Sequence, residues 1–437
     1  MVKRVLLLAT TTGYQTRAFG DAAERLGVDL VFATDRCDVL EDPWQDGAIP
    51  IRFNDDIRSV EAIVAAARAR PIDGLLVVGD RPTVIAALAA RAIGLPSHPP
   101  EAAAASRNKL LTRERLRDSD LPVPWFFAAS AASNSADLVD AVTYPCVVKP
   151  LALSGSRGVI RADDPASFVE AFRRVRALLE SPDLRRERDE AHDAVLVEGF
   201  IDGWEFALEG ILDHGTLTVL ALFDKPDPLD GPFFEETIYV TPSAAPEALS
   251  RDIVSAVARA AAAIGLRHGP IHAECRVSER GVFVLEVAAR PIGGLCARAL
   301  RFHPVQAKPV PAVAGPGRQS VSLEELLIRH ALGESPANWV REAQASGVMM
   351  IPIPRRGVFR SVTGLEEAGN VGGVDEVRIT ARPDQLLVPL PEGASYLGFI
   401  FAHGATTLEA EDRLRRAHAC LRFTIDPEVP MVQSTHG

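Results

Sequence analysis

The chain has 437 residues, 47% of them hydrophobic and 24% charged, with a formal net charge of −11. This is the balance of a soluble globular protein with room for two to four domains. The acidic excess argues against a broad nucleic-acid-binding surface, though not against a local basic site. Five cysteines (Cys37, Cys146, Cys275, Cys296 and Cys420) form no CxxC pair and mostly sit in apolar runs. They read as buried, reduced thiols of a cytoplasmic protein, and a zinc site is not expected. The opening VKRVLLLAT is too short for a signal-peptide core and lacks an A-x-A site. No apolar stretch reaches membrane-spanning length, so no membrane partner is expected.

Residues 5–9 predict a buried strand, 10–13 the turn after it, 15–26 a helix and 29–33 a second strand. Residues 60–69 have helical period, 74–78 are a continuous apolar strand, and 83–93 are helical again. This alternation predicts a parallel, doubly wound sheet. No GxGxxG follows the first strand, so the domain reads as a scaffold rather than a dinucleotide site. Ligands bind beyond the C-terminal ends of such strands, which makes Thr11, Gly13 and Asp80 candidate edge contacts.

The next segment is Pro-punctuated, then helical, then Pro-punctuated again, the pattern of a hinge. Its helix carries Lys109; a single helical lysine is normally a solvated charge. The run YPCVVKP predicts a strand ending in Lys149, followed by a loop with Ser154, Gly155, Ser156 and Gly158. Small residues let backbone N–H groups approach a phosphate, although no GxxxxGK[ST] motif is present. Asp164-Pro165 opens a helix to about residue 179, and the charged run 181–193 reads as an exposed loop. Residues 194–200 predict a strand. After a turn, a second strand runs through 210, with Glu198 and Glu205 on either side of the turn. Phe200 and Trp204 read as core or as the wall of a flat-ring site. A strand at 217–223 precedes Lys225, and a helix at 247–264 is ended by Gly265.

Residues 271–278 and 282–288 then flank Glu279-Arg280-Gly281. A three-residue hairpin loop with Gly last places Ser278 opposite Val282, Arg276 opposite Val284 and Glu274 opposite Glu286. Opposed residues share a face, with Cβ atoms about 4.5–5.5 Å apart. Two carboxylates so placed suit Mg²⁺; a solvated outer face fits the same alternation equally well. His272 lies on the Glu274 face. Further on, Ser322-x-x-Glu325 and Thr406-x-x-Glu409 are capping boxes for helices ending near 333 and 421. Strands are expected at 348–354, 374–380 and 396–402. This tail reads as a small α+β domain used for packing or as an interface, with a share in the wall of a substrate pocket.

In chain order, SRNKLLTRERL, VVKP with SGSRGV, VEGFIDGWEF, HAECRV and VLEVAARPIGG resemble the ATP-grasp superfamily over about residues 1–310. GVMMIPIP and LPEGASYLGFIFAHG resemble the C-terminal domain of its L-amino-acid ligase branch. The resemblance implies an α/β ATP-grasp fold. Its parts are a doubly wound domain at 1–100, hinge helices at 101–140, a lid at 141–210, a central α+β domain at 211–310 and a C-terminal α+β domain at 311–437. ATP would lie between lid and centre.

Carried over residue by residue, Lys109 and Lys149 hold phosphates, and the 154–158 loop folds over them. Glu198 lies by the adenine amino group, the backbone at Phe200 and Ile201 reads the adenine edge, and Glu205 bonds the ribose. Lys225 is a further phosphate-side lysine. Glu274 and Glu286 hold one or two Mg²⁺ ions, and Arg290 holds the γ-phosphate or the developing acyl phosphate. Gly293 and Gly294 offer N–H groups to the substrate, or form a simple turn. His272 is a general base, an orienting group for the acyl oxygen, or a supporting hydrogen-bond partner.

The implied activity activates a small-molecule carboxylate as an acylphosphate and joins it to an amine, releasing ADP and phosphate. A ligase with a non-amine acceptor and a non-catalytic ATP-binding regulator are the alternatives. A homodimer is common in the family. One departure stands out: the family commonly has Asn two residues after the second carboxylate, where this chain has Ala288, which cannot ligate a metal.

Overall fold

The structure is a computed structural model describing residues 2–10, 14–35, 47–305 and 320–428. Thr11, Gly13 and Cys37 lie outside the described residues. The first sheet contains β1 (Arg4–Ala9), β2 (Asp29–Asp35), β3 (Ile49–Ile51) and β4 (Gly74–Val78), all parallel in the order β3-β2-β1-β4. Parallel strands are covered on both faces and therefore read as continuous apolar runs; Leu6, Leu7 and Leu8 are fully buried. Helices α1 (Tyr14–Leu26), α2 (Asp56–Ala69) and α3 (Thr83–Ile93) accompany these strands. The Asp55 side chain caps α2 by accepting from the Arg58 N–H. Gly94, in the left-handed region, ends α3.

Two short helices follow in the segment read as a hinge, α4 (Pro100–Arg107) and α5 (Lys109–Asp118). Asn108 separates them, and its side chain accepts from the Leu110 and Leu111 N–H groups. This cap fixes Lys109 at the first position of α5. A four-stranded antiparallel sheet follows: β5 (Phe126–Ser130), β6 (Cys146–Pro150), β7 (Ile160–Ala162) and β8 (Ala194–Gly199), in the order β5-β8-β6-β7. Helix α6 (Pro165–Leu179) packs on it and begins at a reciprocal capping box between Asp164 and Ser167. The charged segment 181–193 is not a bare exposed loop. It contains α7 (Pro182–Arg185) and buries Leu184 and His192.

The largest sheet has eight strands. Its first five are β9 (Trp204–Asp213), β10 (Thr216–Asp224), β11 (Ile238–Thr241), β12 (Gly269–Ser278) and β13 (Gly281–Ala288). Helix α8 (Glu247–Ile264) covers β13 and its neighbours. After the small pair β14 (Phe302–Pro304) and β15 (Trp339–Arg341), and helix α9 (Leu323–Ala331) between them, the chain returns to the same sheet. It adds β16 (Ala345–Ile351), β18 (Val374–Ile379) and β20 (Gly398–Gly404), giving the order β13-β12-β9-β10-β11-β16-β20-β18. A separate three-stranded sheet holds β17 (Gly357–Thr363), β19 (Leu386–Leu387) and β21 (Arg422–Asp426). Helices α10 (Leu365–Gly369) and α11 (Thr407–Cys420) complete the tail.

The β12–β13 hairpin differs from the sequence reading in one respect. Ser278 pairs with Gly281, so the loop is two residues, Glu279-Arg280, and Arg276 faces Phe283 rather than Val284. A bulge then absorbs Leu285, and Glu274 faces Glu286 as expected. The expected pairing is reached by two departures that cancel.

Candidate functional site

A cavity of about 470 Å³ lies between the four-stranded β5-β8-β6-β7 sheet, the large sheet and the C-terminal strands. Lys109, Lys149, Ser154, Gly155, Ser156, Glu198, Phe200, Ile201, Glu205, His272, Glu274, Glu286, Arg290, Gly293 and Gly294 all line it. Gly158 and Lys225, also expected there, do not. Gly158 is a packed hinge, because a Cβ there would lie 2.7 Å from Pro150 Cγ and 2.9 Å from Leu178 Cδ2. Lys225 is buried beneath the cavity floor, its ammonium among carboxylates.

Strands β6 and β8, helix α5 and the hairpin meet at Glu198. Arg113, fully buried on α5, donates from Nε and Nη2 to the two Glu198 oxygens at 2.8 and 3.2 Å. Lys149 donates to the same carboxylate at 2.5 Å. The remaining guanidinium nitrogen, Nη1, donates to the Val284 and Leu285 carbonyls at 3.2 and 2.9 Å. Leu285 is the bulged residue, so Arg113 takes up a carbonyl that the irregular ladder presents. Burial by itself would raise the Glu198 pKa, but the two cations bring it down to about 2. Lys149 is lowered to about 8, burial outweighing the attraction of Glu198. Lys109 reaches across to donate to the Leu153 carbonyl at 2.6 Å and lies 3.2 Å from Glu286.

The second cluster centres on Lys225. Its Nζ lies 2.7 Å from Glu205, 2.6 Å from Glu236 and 3.3 Å from Glu274. One oxygen from each of these three carboxylates lies within 4.8 Å of the others. Burial and the adjacent Glu274 raise Glu236 to about 7 despite Lys225. Glu274, for which burial works the other way, is held well below the usual carboxylate range by Lys225 and His272. Arg276, also buried, donates to Glu205 at 3.0 Å and to the Ile201 carbonyl at 2.7 Å, and to the Leu229 carbonyl. Its guanidinium lies over the Phe200 and Phe234 rings. These rings and Val147 give the cavity an apolar wall.

A third group orders the far end. His272 Nδ1 lies 3.1 Å from Glu209 and its Nε2 3.6 Å from Glu274. Burial would lower its pKa, but the hydrogen bonds to the two carboxylates raise it to about 9. Both nitrogens of His272 thus face carboxylates, an arrangement that favours its charged form. Glu209, wholly buried, also accepts from the Ile292 N–H, fixing the approach to Gly293-Gly294. Arg290 forms a two-bond pair with Asp80, at 2.9 and 3.0 Å. Asp80 follows β4, at the strand end where the sequence had put an edge contact. Ala288 faces His272 and is buried, so the position expected of a third metal ligand packs inside the protein.

Beyond Gly294 the wall is formed by Cys296, Met350, Tyr396 and Phe399, with Thr380, Gln385 and Ser395 as polar members. Burial pushes the Cys296 thiol up to about 12, which excludes a thiolate nucleophile. The sequence reading missed Arg113, Glu209, Glu236 and Arg276. Each lies in a strand, helix or loop without local motif spacing. Only Glu209, in FALEGIL, gave a detectable signal: a charge in an otherwise apolar run needs a partner.

Three family descriptions match the chain in the order of its architecture. Residues 20–97 match the ATP-grasp N-terminal domain, residues 142–299 the ATP-grasp domain, and residues 349–426 the L-amino acid ligase C-terminal domain 2. This is an ATP-grasp protein. Among solved ATP-grasp structures, an L-amino acid ligase from Bacillus licheniformis superposes with a TM-score of 0.79 at 28% identity. The match covers 97% of this chain and 99% of that one. Phosphoribosylglycinamide synthetase from Anaerococcus prevotii shares the ATP-grasp fold at 14% identity and a TM-score of 0.64, covering 98% of this chain and all of that one. The uncharacterised protein y4rH of Sinorhizobium fredii is 25% identical over 77% of this chain and 65% of its own length. Carnosine synthase 1 of Gallus gallus is 27% identical over 72% of this chain and 34% of its own. The chain therefore spans less than two thirds of the length of these curated relatives. Among the described residues, no helix is long and apolar enough to cross a membrane.

Proposed function

We propose that this chain is an ATP-dependent ligase that activates a small-molecule carboxylate and joins it to an amine, with an amino acid as the favoured substrate class. The observation that carries this reading is the convergence of two lysines, two arginines and five glutamates in one cavity beside a loop of small residues. Two anions, ATP and a carboxylate, cannot approach each other without such cations. The likeness to the L-amino acid ligase across nearly the whole of both chains favours an amine acceptor.

In this reading the adenine lies against Val147, Phe200 and Phe234. The Phe200 N–H and the Ile201 carbonyl are already engaged with Pro145 and Arg276. That leaves the Phe200 carbonyl and the Ile201 N–H to read the adenine edge. Glu205 takes the ribose hydroxyls, and Lys109 and Lys149 take the phosphates under the 154–158 loop. Glu274 and Glu286 hold Mg²⁺, with Glu236 offering the oxygen that Ala288 cannot. The hard oxygen donors fit that ion, which when bound neutralises phosphate charge. Lys225 is released from the carboxylates towards the phosphates. Arg290, aligned by Asp80, faces the γ-phosphoryl group. A carboxylate oxygen bonds to the γ-phosphorus as its bond to the bridging oxygen breaks, releasing ADP. The amine nitrogen then bonds to the acyl carbon as the acyl carbon–oxygen bond to phosphate breaks, and the departing phosphate takes up the proton that the nitrogen loses. His272, positively charged, stabilises the carboxylate arrangement rather than removing a proton.

The test is ADP and phosphate release by the full chain with Mg-ATP and a panel of amino acids, singly and in pairs. Turnover is expected only when carboxylate and amine are both supplied, and Glu286→Gln is expected to abolish it. Tight Mg-ATP binding without turnover across the panel would replace the ligase by a regulatory reading. Undiminished phosphate release by Glu286→Gln would remove the metal assignment.

A further inference from the structure

Four of the ten histidines in the sequence gather at the end of the large sheet remote from the cavity: His98, His214, His268 and His330. Strand β9 carries the chain there, since Asp213 lies four residues past Glu209, roughly 13 Å along an extended strand. None of these residues lines the cavity.

The backbone holds the group together. Asp213-His214-Gly215-Thr216 turns β9 into β10, with φ of 48° at His214 and 95° at Gly215. Two successive positive φ values define a tight hairpin turn of the kind that matches strand twist. The Gly215 N–H donates to the Arg267 carbonyl at 2.6 Å, seating the turn beside His268. His98 braces the other side. Its Nδ1 accepts from the Arg267 N–H and its Nε2 donates to the Pro270 carbonyl, both at 3.1 Å.

Three potential ligand atoms result. Asp213 Oδ1 lies 3.4 Å from His268 Nδ1 and 3.8 Å from His214 Nε2. One ligand atom from each of the three residues lies within 4.8 Å of the other two. His268 Nδ1 is buried and makes no hydrogen bond. We propose that Asp213, His214 and His268 form a binding site for a divalent transition-metal ion of the zinc class, separate from the carboxylate cluster of the cavity.

The donor set decides the class of ion. Two imidazoles and one carboxylate suit zinc, cobalt, nickel or copper, whereas Mg²⁺ takes oxygen ligands. Metal–ligand bonds of about 2.1 Å in a tetrahedron require ligand atoms about 3.4 Å apart. The Asp213–His268 pair already meets this, and the exposed His214 ring closes the rest by side-chain rotation. Water takes the fourth position. His330, on α9, lies over His268 with ring centroids 4.5 Å apart and planes 30° from parallel. His330 is not part of that group of ligand atoms, so it shields the site and does not ligate. The cysteine pattern argued against a zinc site. The site proposed here uses no cysteine, and its histidines lie far apart in the sequence.

The test is titration of the full chain with Co²⁺, and separately with Zn²⁺, in saturating Mg²⁺. The expected result is one equivalent of Co²⁺ bound per chain, with the visible absorption of a low-coordinate cobalt site, and a Tm that rises with Zn²⁺ concentration. His268→Ala and His214→Asn should each lose the cobalt band. Asn tolerates the positive φ of the turn, so the second variant keeps the fold. Glu274→Gln should retain the band. Absence of stoichiometric binding by the wild-type chain would overturn the proposal. So would a band that survives both histidine variants, or one lost in Glu274→Gln, which would put the cobalt in the cavity. None of these readouts depends on ligase turnover, so failure here and failure of the ligase reading are distinguishable.

Discussion

At the scale of single residues, the site is organised by buried charges that satisfy one another across long sequence separations. Arg113 and Glu198 are 85 residues apart, Arg276 and Glu205 71, and His272 and Glu209 63. A buried charge without a partner is costly, so each of these pairs fixes two distant elements at once. This is also why they were not legible in the sequence. Lys149 and Glu205 stand in recognisable local runs, whereas Arg113 and Glu209 acquire meaning only from a partner in another element. His272 gives a measurable consequence. Its pKa rises from an unfolded value of 6.5 to about 9 on folding. A raised histidine pKa contributes stability that is fully present below 6.5 and is lost as pH rises through 9. The linkage amounts to about 3 kcal/mol, one pKa unit being about 1.4 kcal/mol. Other groups titrate in this window, so the quantity to compare is the difference between wild type and His272→Gln in denaturant unfolding from pH 6 to 9.5. The stability advantage of the wild type should shrink across that range; a constant difference would mean that His272 is neutral in the folded protein.

Among the elements, the hairpin and the small-residue loop show what periodicity can and cannot give. Strand period located the hairpin, whereas the Glu274–Glu286 pairing came out as expected only because the shorter loop and the bulge cancel. The bulge at Leu285 was hidden, because the side chain that takes up its carbonyl belongs to α5. The loop was found from its composition, but its two glycines do different work. Gly155 has φ +62°, and a methyl group placed on its Cα would meet nothing within 4 Å, while Gly158 has φ +75° and no room beside Pro150 and Leu178. Gly155→Ala should therefore cost only backbone strain, about 1 kcal/mol, and chiefly weaken nucleotide binding by keeping the loop from closing on phosphate. Gly158→Ala adds a steric clash to the same strain and should cost about 2–4 kcal/mol. Thermal unfolding paired with a fluorescent-nucleotide titration separates the two. Equal losses of Tm in both variants would show that Gly158 is not a packed hinge.

For the whole molecule, the question is whether the C-terminal strands are an appended unit or part of the frame. The sequence reading placed them in a small domain of their own, because nothing local reveals which edge a strand will join. In the structure β16 pairs with β11 and carries β20 and β18, so three of the eight strands of the large sheet come from the tail. One apolar core joins Val5 and Leu7 of the first sheet, Ile211 and Phe223 of the central strands, and Val348, Met350, Phe399 and Phe401 of the tail. The tail also anchors the loop: the Gly158 N–H donates to the Pro391 carbonyl at 2.7 Å and Arg157 Nε to the Glu392 carbonyl at 2.9 Å. A chain ending at residue 344 would lose the Met350, Tyr396 and Phe399 wall of the cavity and expose β11 as an unpaired apolar edge, a template for aggregation. Such a chain should elute as aggregate in size-exclusion chromatography and melt without a cooperative transition by circular dichroism. A soluble monomer with a sharp transition would show instead that the first 344 residues fold alone. The shared core argues against that outcome, because residues on both sides of position 344 are buried against one another in it.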